Sequence, residues 1–401
     1  MRTECFARMS VSEQAIEERA ARLKQPGKQF KLGFFTQVPS RVDQPARRTF
    51  AELVESIVAA EEIGYDSVWI GQHHFSPEDG GVPSPLVVLA AAAARTRRIQ
   101  LGTAVIALPF EHPIRLAEDL AVLDEISEGR VQVGLGGARG DLQAFNTFGV
   151  DFSARHDLFD QHLEVLQYLL EGRTSAEFAQ YEDAPDKGAR TSPQRLSASD
   201  SVAGQQASAD LEPKRLFPSA PSLRSRLWQT ASSEDRARKI ARNGNGLMIG
   251  AFHDHVIFHQ LRFIVGYLEE WLALNGNLDD ARVGAQRFTY HGESAEAIAA
   301  ELGPHVSATQ KTLEARFPQL GSLSPNEYLR SVTRSGTSRD IAAQLLEDPA
   351  LLGFVTDFFP TTGLFPSVRE GTSGADLDIE RLQVFAEEIA PELGWKPAAH
   401  H

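Results

Sequence analysis

The chain has 401 residues, 42% hydrophobic and 23% charged, with a formal net charge of −14. That balance fits a folded globular protein and excludes a general affinity for nucleic acid or for anionic membrane surfaces. One cysteine, Cys5, excludes an intrachain disulfide, and no run nears the roughly 18 apolar residues that cross a bilayer.

Residues 1–29 are polar, patterned like a helix and without the apolar core of a secretion signal. They are expected to be an extension ahead of the fold, in a cytoplasmic protein. FKLGFFT, from Phe30, reads as a buried parallel strand. Phe50, Leu53, Val54, Ile57 and Val58 then mark one face of a helix, and Gly64 stops it. DSVWIG is the second strand, and Ser84-Pro85 opens an Ala-rich helix to Ala94. IQLGTAVIAL is the third strand, and Pro113 opens a helix with Leu116, Leu120 and Leu123 on one face. RVQVGLG is the fourth strand. Phe159, Leu163, Leu166 and Leu170 line the fourth helix.

Thr174 to Ser225 breaks this rhythm. It is rich in Ser, Ala, Gln, Asp and Pro, so it is expected to be a loop-like insertion. RLWQT and SEDRARKIAR then read as strand and helix, as do GLMIG and a long helix through Ile257, Leu261, Ile264 and Leu268. ARVGAQRFTY is the seventh strand. A second insertion is expected from about 292 to 335. Thr337 and Ser338 precede the helix IAAQLLE, GFVTDFF reads as the eighth strand, and IERLQVFAEEIA closes the chain. Eight strand–helix alternations predict an α/β fold, a (β/α)8 TIM-type barrel over residues 30–401, with a large open parallel sheet as the alternative.

WIGQHHF at 69–75, LGTAVIALPFEHPIRLAEDLAVLDEISEGRVQVGLG at 101–136 and WQTASSEDRARKIARNGNGLMIG at 228–250 together resemble the bacterial-luciferase-like flavin-dependent monooxygenases. The likeness runs strongly over residues 30–172 and more loosely over 226–400. It implies the same barrel, with FMN, or in one branch the deazaflavin F420, at the C-terminal mouth. It also implies an oxidoreductase that takes reduced FMN from a separate NAD(P)H:flavin reductase. O2 would form a C4a-peroxide that oxidises a small organic substrate. A flavin-binding barrel without turnover is the non-enzymatic alternative. A homodimer is expected, without nucleic-acid or membrane partners.

The resemblance also assigns residues. His73, the first histidine of the pair after the second strand, is expected to handle protons beside the flavin, since imidazole titrates near neutrality. His74 should face the other way by strand alternation. Gln72 stands where luciferases commonly carry Glu. Ala104-Val105 falls where the family has a non-proline cis peptide beneath the flavin ring. Gly136 and Gly137 permit close backbone approach to a ligand. Arg139 is the arginine nearest the family's phosphate-binding position, which Gly137 occupies. Thr230, Ser232 and Ser233 precede a helix whose first turn offers free N–H groups to a phosphate, and Arg236 would add charge. Thr36 and Gln37 end the first strand and would line the flavin or substrate edge; Phe359 would wall the pocket. His253 and His255 lack a third ligand in the sequence, so no metal is expected.

Overall fold

The computed structural model describes residues 11–36, 45–75, 81–138, 142–174, 214–250, 254–302, 307, 323–361 and 374–397. The chain opens with helix α1 (Val11–Leu23), then alternates β1 (Lys31–Thr36), α2 (Ala46–Ile63), β2 (Ser67–Ile70), α3 (Pro85–Ala93), β3 (Gln100–Ala107), α4 (Pro113–Ile126) and β4 (Val131–Gly136). Helices α5 (Leu142–Phe148) and α6 (Arg155–Leu170) follow. Then come β5 (Leu227–Thr230), α7 (Glu234–Arg242), β6 (Gly246–Ile249), α8 (Asp254–Asn275) and β7 (Val283–His291). The remainder carries α9 (Pro325–Val332), β8 (Thr333–Gly336), α10 (Ser338–Leu346), β9 (Asp357–Thr361) and α11 (Gly374–Val384).

All strand pairings are parallel, and β1 to β7 with β9 close into an eight-stranded barrel through the β6–β7 and β7–β9 pairs. The expected (β/α)8 architecture is therefore the observed one. The stop at Gly64 is also as read: its φ is 111°, and its N–H reaches Ala60 O and Glu61 O. Ser84 occupies the cap of α3, but its hydroxyl makes no capping bond; Pro85 alone marks that start.

The second insertion differs from the sequence reading. It contains β8, which pairs with the C-terminal half of β7 from Phe288↔Thr333 to His291↔Gly336. Phe288 also pairs with Thr361 of β9, so β8 takes the edge of β7 that β6 has left. The segment TRSG carries no apolar residue, so it gives no strand signal. Tyr290, Ile298, Ala299, Leu302, Tyr328, Leu329 and Val332 form a satellite core beneath this extension. The eighth barrel strand starts at Asp357, later than the GFVTDFF pattern implied. The first insertion is also shorter than expected at its end. Ala220 and Leu223 are buried in the main core, and Arg224 bonds Asn245 Oδ1 and Asn243 O. The rest of that insertion, 175–213, lies outside the described residues.

The barrel's interior is aromatic. Trp69, Trp228, Phe35, Met248 and Phe359 form one buried cluster, with Ala104 and Val105 packed against it. Trp69 meets Trp228 edge-on at 5.6 Å and Phe359 at 5.3 Å. The indoles fit because glycine lies against them. A Cβ on Gly102 would come within 2.3 Å of Trp69, and one on Gly246 within 2.3 Å of Trp228. Each indole N–H is satisfied, Trp69 donating to Ser67 Oγ at 2.9 Å and Trp228 to Gln132 Oε1 at 2.8 Å. Among the described residues this plug fills the barrel's interior, and ligands of this fold class sit above such a plug at the C-terminal mouth.

Candidate active site at the barrel mouth

Strand alternation decides which side chains reach the mouth. Trp69, Gly134 and Trp228 face inward, so Gly136 and Thr230, two residues further along β4 and β5, do so as well. They converge with the end of β3. A Cβ on Gly136 would lie 2.4 Å from Val105 Cγ2 and 3.4 Å from Thr230 Oγ1, whereas Gly137 has open space around it. The Ala104-Val105 peptide is cis, at the position the resemblance implied. Ala104, Val105 and Thr230 are only partly buried, so they form a floor on the aromatic plug that faces outward.

The end of β2, the strand paired with β3, forms the rim beside this floor. Gly71 N–H donates to Thr36 O at 3.0 Å, and His73 N–H donates to Val82 O at 3.1 Å. His73 is half-buried, three residues beyond the end of β2. His74 turns into an aromatic cluster, edge-on to Phe148 at 4.9 Å and to Phe110 at 5.7 Å, while Phe110 and Phe148 stack at 4.8 Å. Thr36 alternates with Leu32 and Phe34, the face turned to the helices, so only its carbonyl is placed at this rim. The sequence reading missed the Phe110–Phe148 cluster, because α5 carries too short a pattern to assign.

At the start of α7 the residues expected there have local partners. Ser233 is the helix cap, and its Oγ accepts from Arg236 N–H at 3.1 Å, so that hydroxyl oxygen is already engaged. The Arg236 guanidinium turns into the helix layer, donating to Asp160 Oδ1 at 2.6 Å and to Gln229 Oε1 at 3.3 Å, over the ring of Phe159. Burial raises the Asp160 carboxyl, but bonds from Lys239 and Arg236 prevail and hold it below the usual carboxylate range. Arg236 is thus held in an ion pair with Asp160, the Ser233 hydroxyl keeps its O–H to donate, and Ser232 is exposed on the same turn. Glu234 is turned away from the mouth by Arg19, at 2.6 Å, and Arg238, at 2.9 Å. Arg139, Gln37 and His253 lie outside the described residues, as does the side chain of His255. Phe359 belongs to the plug rather than to a wall of the mouth. Among the described residues no cluster of His, Cys, Asp or Glu is arranged to hold a metal, and no helix is long and apolar enough to cross a membrane.

The family model of luciferase-like monooxygenases matches residues 30–354. This chain belongs to that family. The alkanal monooxygenase alpha chain of the Kryptophanaron alfredi symbiont is 33% identical over 150 residues, which cover 37% of this chain and 41% of that one. The chain thus spans less than half of that relative. Two solved structures share the fold. The oxygenating constituent of 3,6-diketocamphane monooxygenase from Pseudomonas putida, in complex with FMN, has a TM-score of 0.67 at 17% identity, covering 90% of this chain and 98% of that one. The coenzyme F420-dependent tetrahydromethanopterin reductase of Methanopyrus kandleri has a TM-score of 0.60 at 15% identity, covering 91% of this chain and 99% of that one. The first of these is in complex with FMN, and the second is named for its dependence on F420.

Proposed function

We propose that this luciferase-like protein is an FMN-dependent two-component monooxygenase that oxidises a small organic substrate with O2. The observation that carries the reading is the convergence of Val105, Gly136 and Thr230 from three adjacent strands. It makes a flat, partly apolar floor beside a side-chain-free approach at Gly137. A flat ring fits such a floor, and its single phosphate fits the N–H groups and Ser232 hydroxyl at the start of α7. Arg139 is assigned to the same phosphate.

Reduced FMN, delivered by an NAD(P)H:flavin reductase, supplies the electrons that activate O2. The protein's share is binding, orientation and proton handling. Ala104 and Val105 support one face of the ring, and the plug beneath them keeps water from that side. His73 holds or moves a proton at its imidazole on the adjoining rim, after β2. The apolar cluster of Phe110 and Phe148, next to His74, supports a substrate of low polarity.

The F420 reading keeps one observation in its favour, the likeness of the barrel to an F420-dependent enzyme as well. Against it stands the acidic chain, in which no basic track suits an anionic polyglutamate tail. A homodimer is supported by the exposed apolar side chains Ile114, Val122 and Ile126 on α4 and Val87 on α3. We place the protein in the cytoplasm, where its reductase partner and its lone cysteine would suit a reducing environment. Titration with FMN, reduced FMN and F420 tests the cofactor. One site per chain with tighter binding of reduced FMN is expected, and much tighter F420 binding would overturn the assignment.

A further inference from the structure

Gln72 has an unusual set of partners. Its Oε1 accepts from Ala107 N–H at 2.7 Å. Its Nε2 donates to Glu111 Oε1 at 2.9 Å and to Pro83 O at 3.1 Å. One side chain therefore joins the end of β2 to the end of β3, to the turn before α4 and to the entry of α3. The residue after it is His73, itself fixed at Val82 O; the residue two before Ala107 is Val105 of the floor. We propose that Gln72 is a positioning residue that fixes His73 relative to the Ala104–Ala107 floor, and that Glu111 dictates its being an amide.

The chemistry of the three partners leads to this. Ala107 N–H needs an acceptor, while Pro83 O and the Glu111 carboxylate need donors. A primary amide offers one acceptor and two donors from one side chain, which a hydroxyl, an imidazole or a carboxylate does not. A carboxylate at position 72, the residue the family commonly carries there, would still accept from Ala107. It would also face the Pro83 carbonyl and a second carboxylate, and like charges at this range repel. Glutamine at 72 and glutamate at 111 are thus one matched pair. The joint does not depend on flavin; only the consequence for turnover rests on the function proposed above.

The test uses Q72E, E111Q, Q72E/E111Q and Q72A in the full chain without flavin. Two signals are read: exchange of the Ala107 amide and the imidazole resonances of His73. Q72E and Q72A are expected to speed Ala107 exchange about tenfold, the scale of one lost hydrogen bond, and to move the His73 resonances. E111Q is expected to restore both signals in the Q72E background, because the new amide donates to the new carboxylate. It should restore neither in Q72A. Q72E behaving like the parent chain, or E111Q failing to rescue it, would overturn the proposal. A rescued resonance pattern with flavin-dependent kcat unaffected in every variant would instead leave the joint standing and sink the role given to His73.

Discussion

At the residue scale, the two histidines of WIGQHHF separate by what each touches. His74 packs among Phe75, Phe110 and Phe148, so His74→Ala should cost about 1–3 kcal/mol of stability with less effect on chemistry. His73 follows β2 with its backbone fixed at Val82 O, and on the proposed function His73→Ala should lower flavin-dependent turnover by roughly 100-fold with little change in flavin affinity. Melting temperature, flavin binding and peroxide release, read on both variants, check the split; normal turnover in His73→Ala with only a lowered melting temperature would make the pair structural. Gly136→Ala makes a different demand. Its Cβ would overlap Val105 Cγ2, a stiff β-branched methyl, at 2.4 Å. FMN affinity should fall at least about tenfold, with a stability loss of about 1–3 kcal/mol; an unchanged affinity would show that this floor does not carry the ring. Much of this site was legible in the sequence, because strand parity and the order of motifs put His73, Val105, Gly136 and Thr230 at strand ends. Arg236 was not. Its place beside a presumed phosphate turn gave no hint of Asp160, which approaches from α6, 76 residues away in the chain.

At the element scale, helix α1 shows what composition conceals. Residues 1–29 read as an extension, yet Ile16, Ala20 and Leu23 join the main core. Arg19 bonds Glu269 on α8 at 2.8 Å through two nitrogens and Glu234 on α7 at 2.6 Å. The sequence hides this because α1 is polar on most of its surface and its partners lie more than 200 residues on. The bond from Arg19, against the opposing effect of burial and with help from Arg238, draws the Glu269 carboxyl down to about 2. A carboxyl lowered in the folded state stabilises it above its ordinary value near 4.5, and that stability is lost as pH falls toward 2. Arg19→Ala should therefore cost about 1 kcal/mol at neutral pH and flatten the acid limb of the stability curve between those values. Acid denaturation of both proteins measures this; superimposable curves would show that the ion pair contributes nothing. Strand β8 makes the complementary case. Its residues Thr333 to Gly336 are polar and gain strand geometry only from the free edge of β7.

At the scale of the whole molecule, apolar strands, amphipathic helices and their alternation predicted the closed barrel well, since each level of pattern agreed with the others. What the pattern left open is how the surface is used. If the proposed homodimer uses the exposed Val122 of α4, Val122→Glu should shift the protein toward monomer in light scattering while leaving the melting of dilute protein nearly unchanged. A monomeric parent chain would remove that reading. The central claim is that the mouth holds reduced FMN and controls its encounter with O2. The direct measurement is to load the protein with reduced FMN without oxygen, admit O2, and follow the flavin spectrum. The account predicts that oxidised flavin appears far more slowly on the protein than in free solution, and that His73→Ala shortens the delay. Reoxidation at the rate of free flavin, in the presence of demonstrated binding, would contradict it.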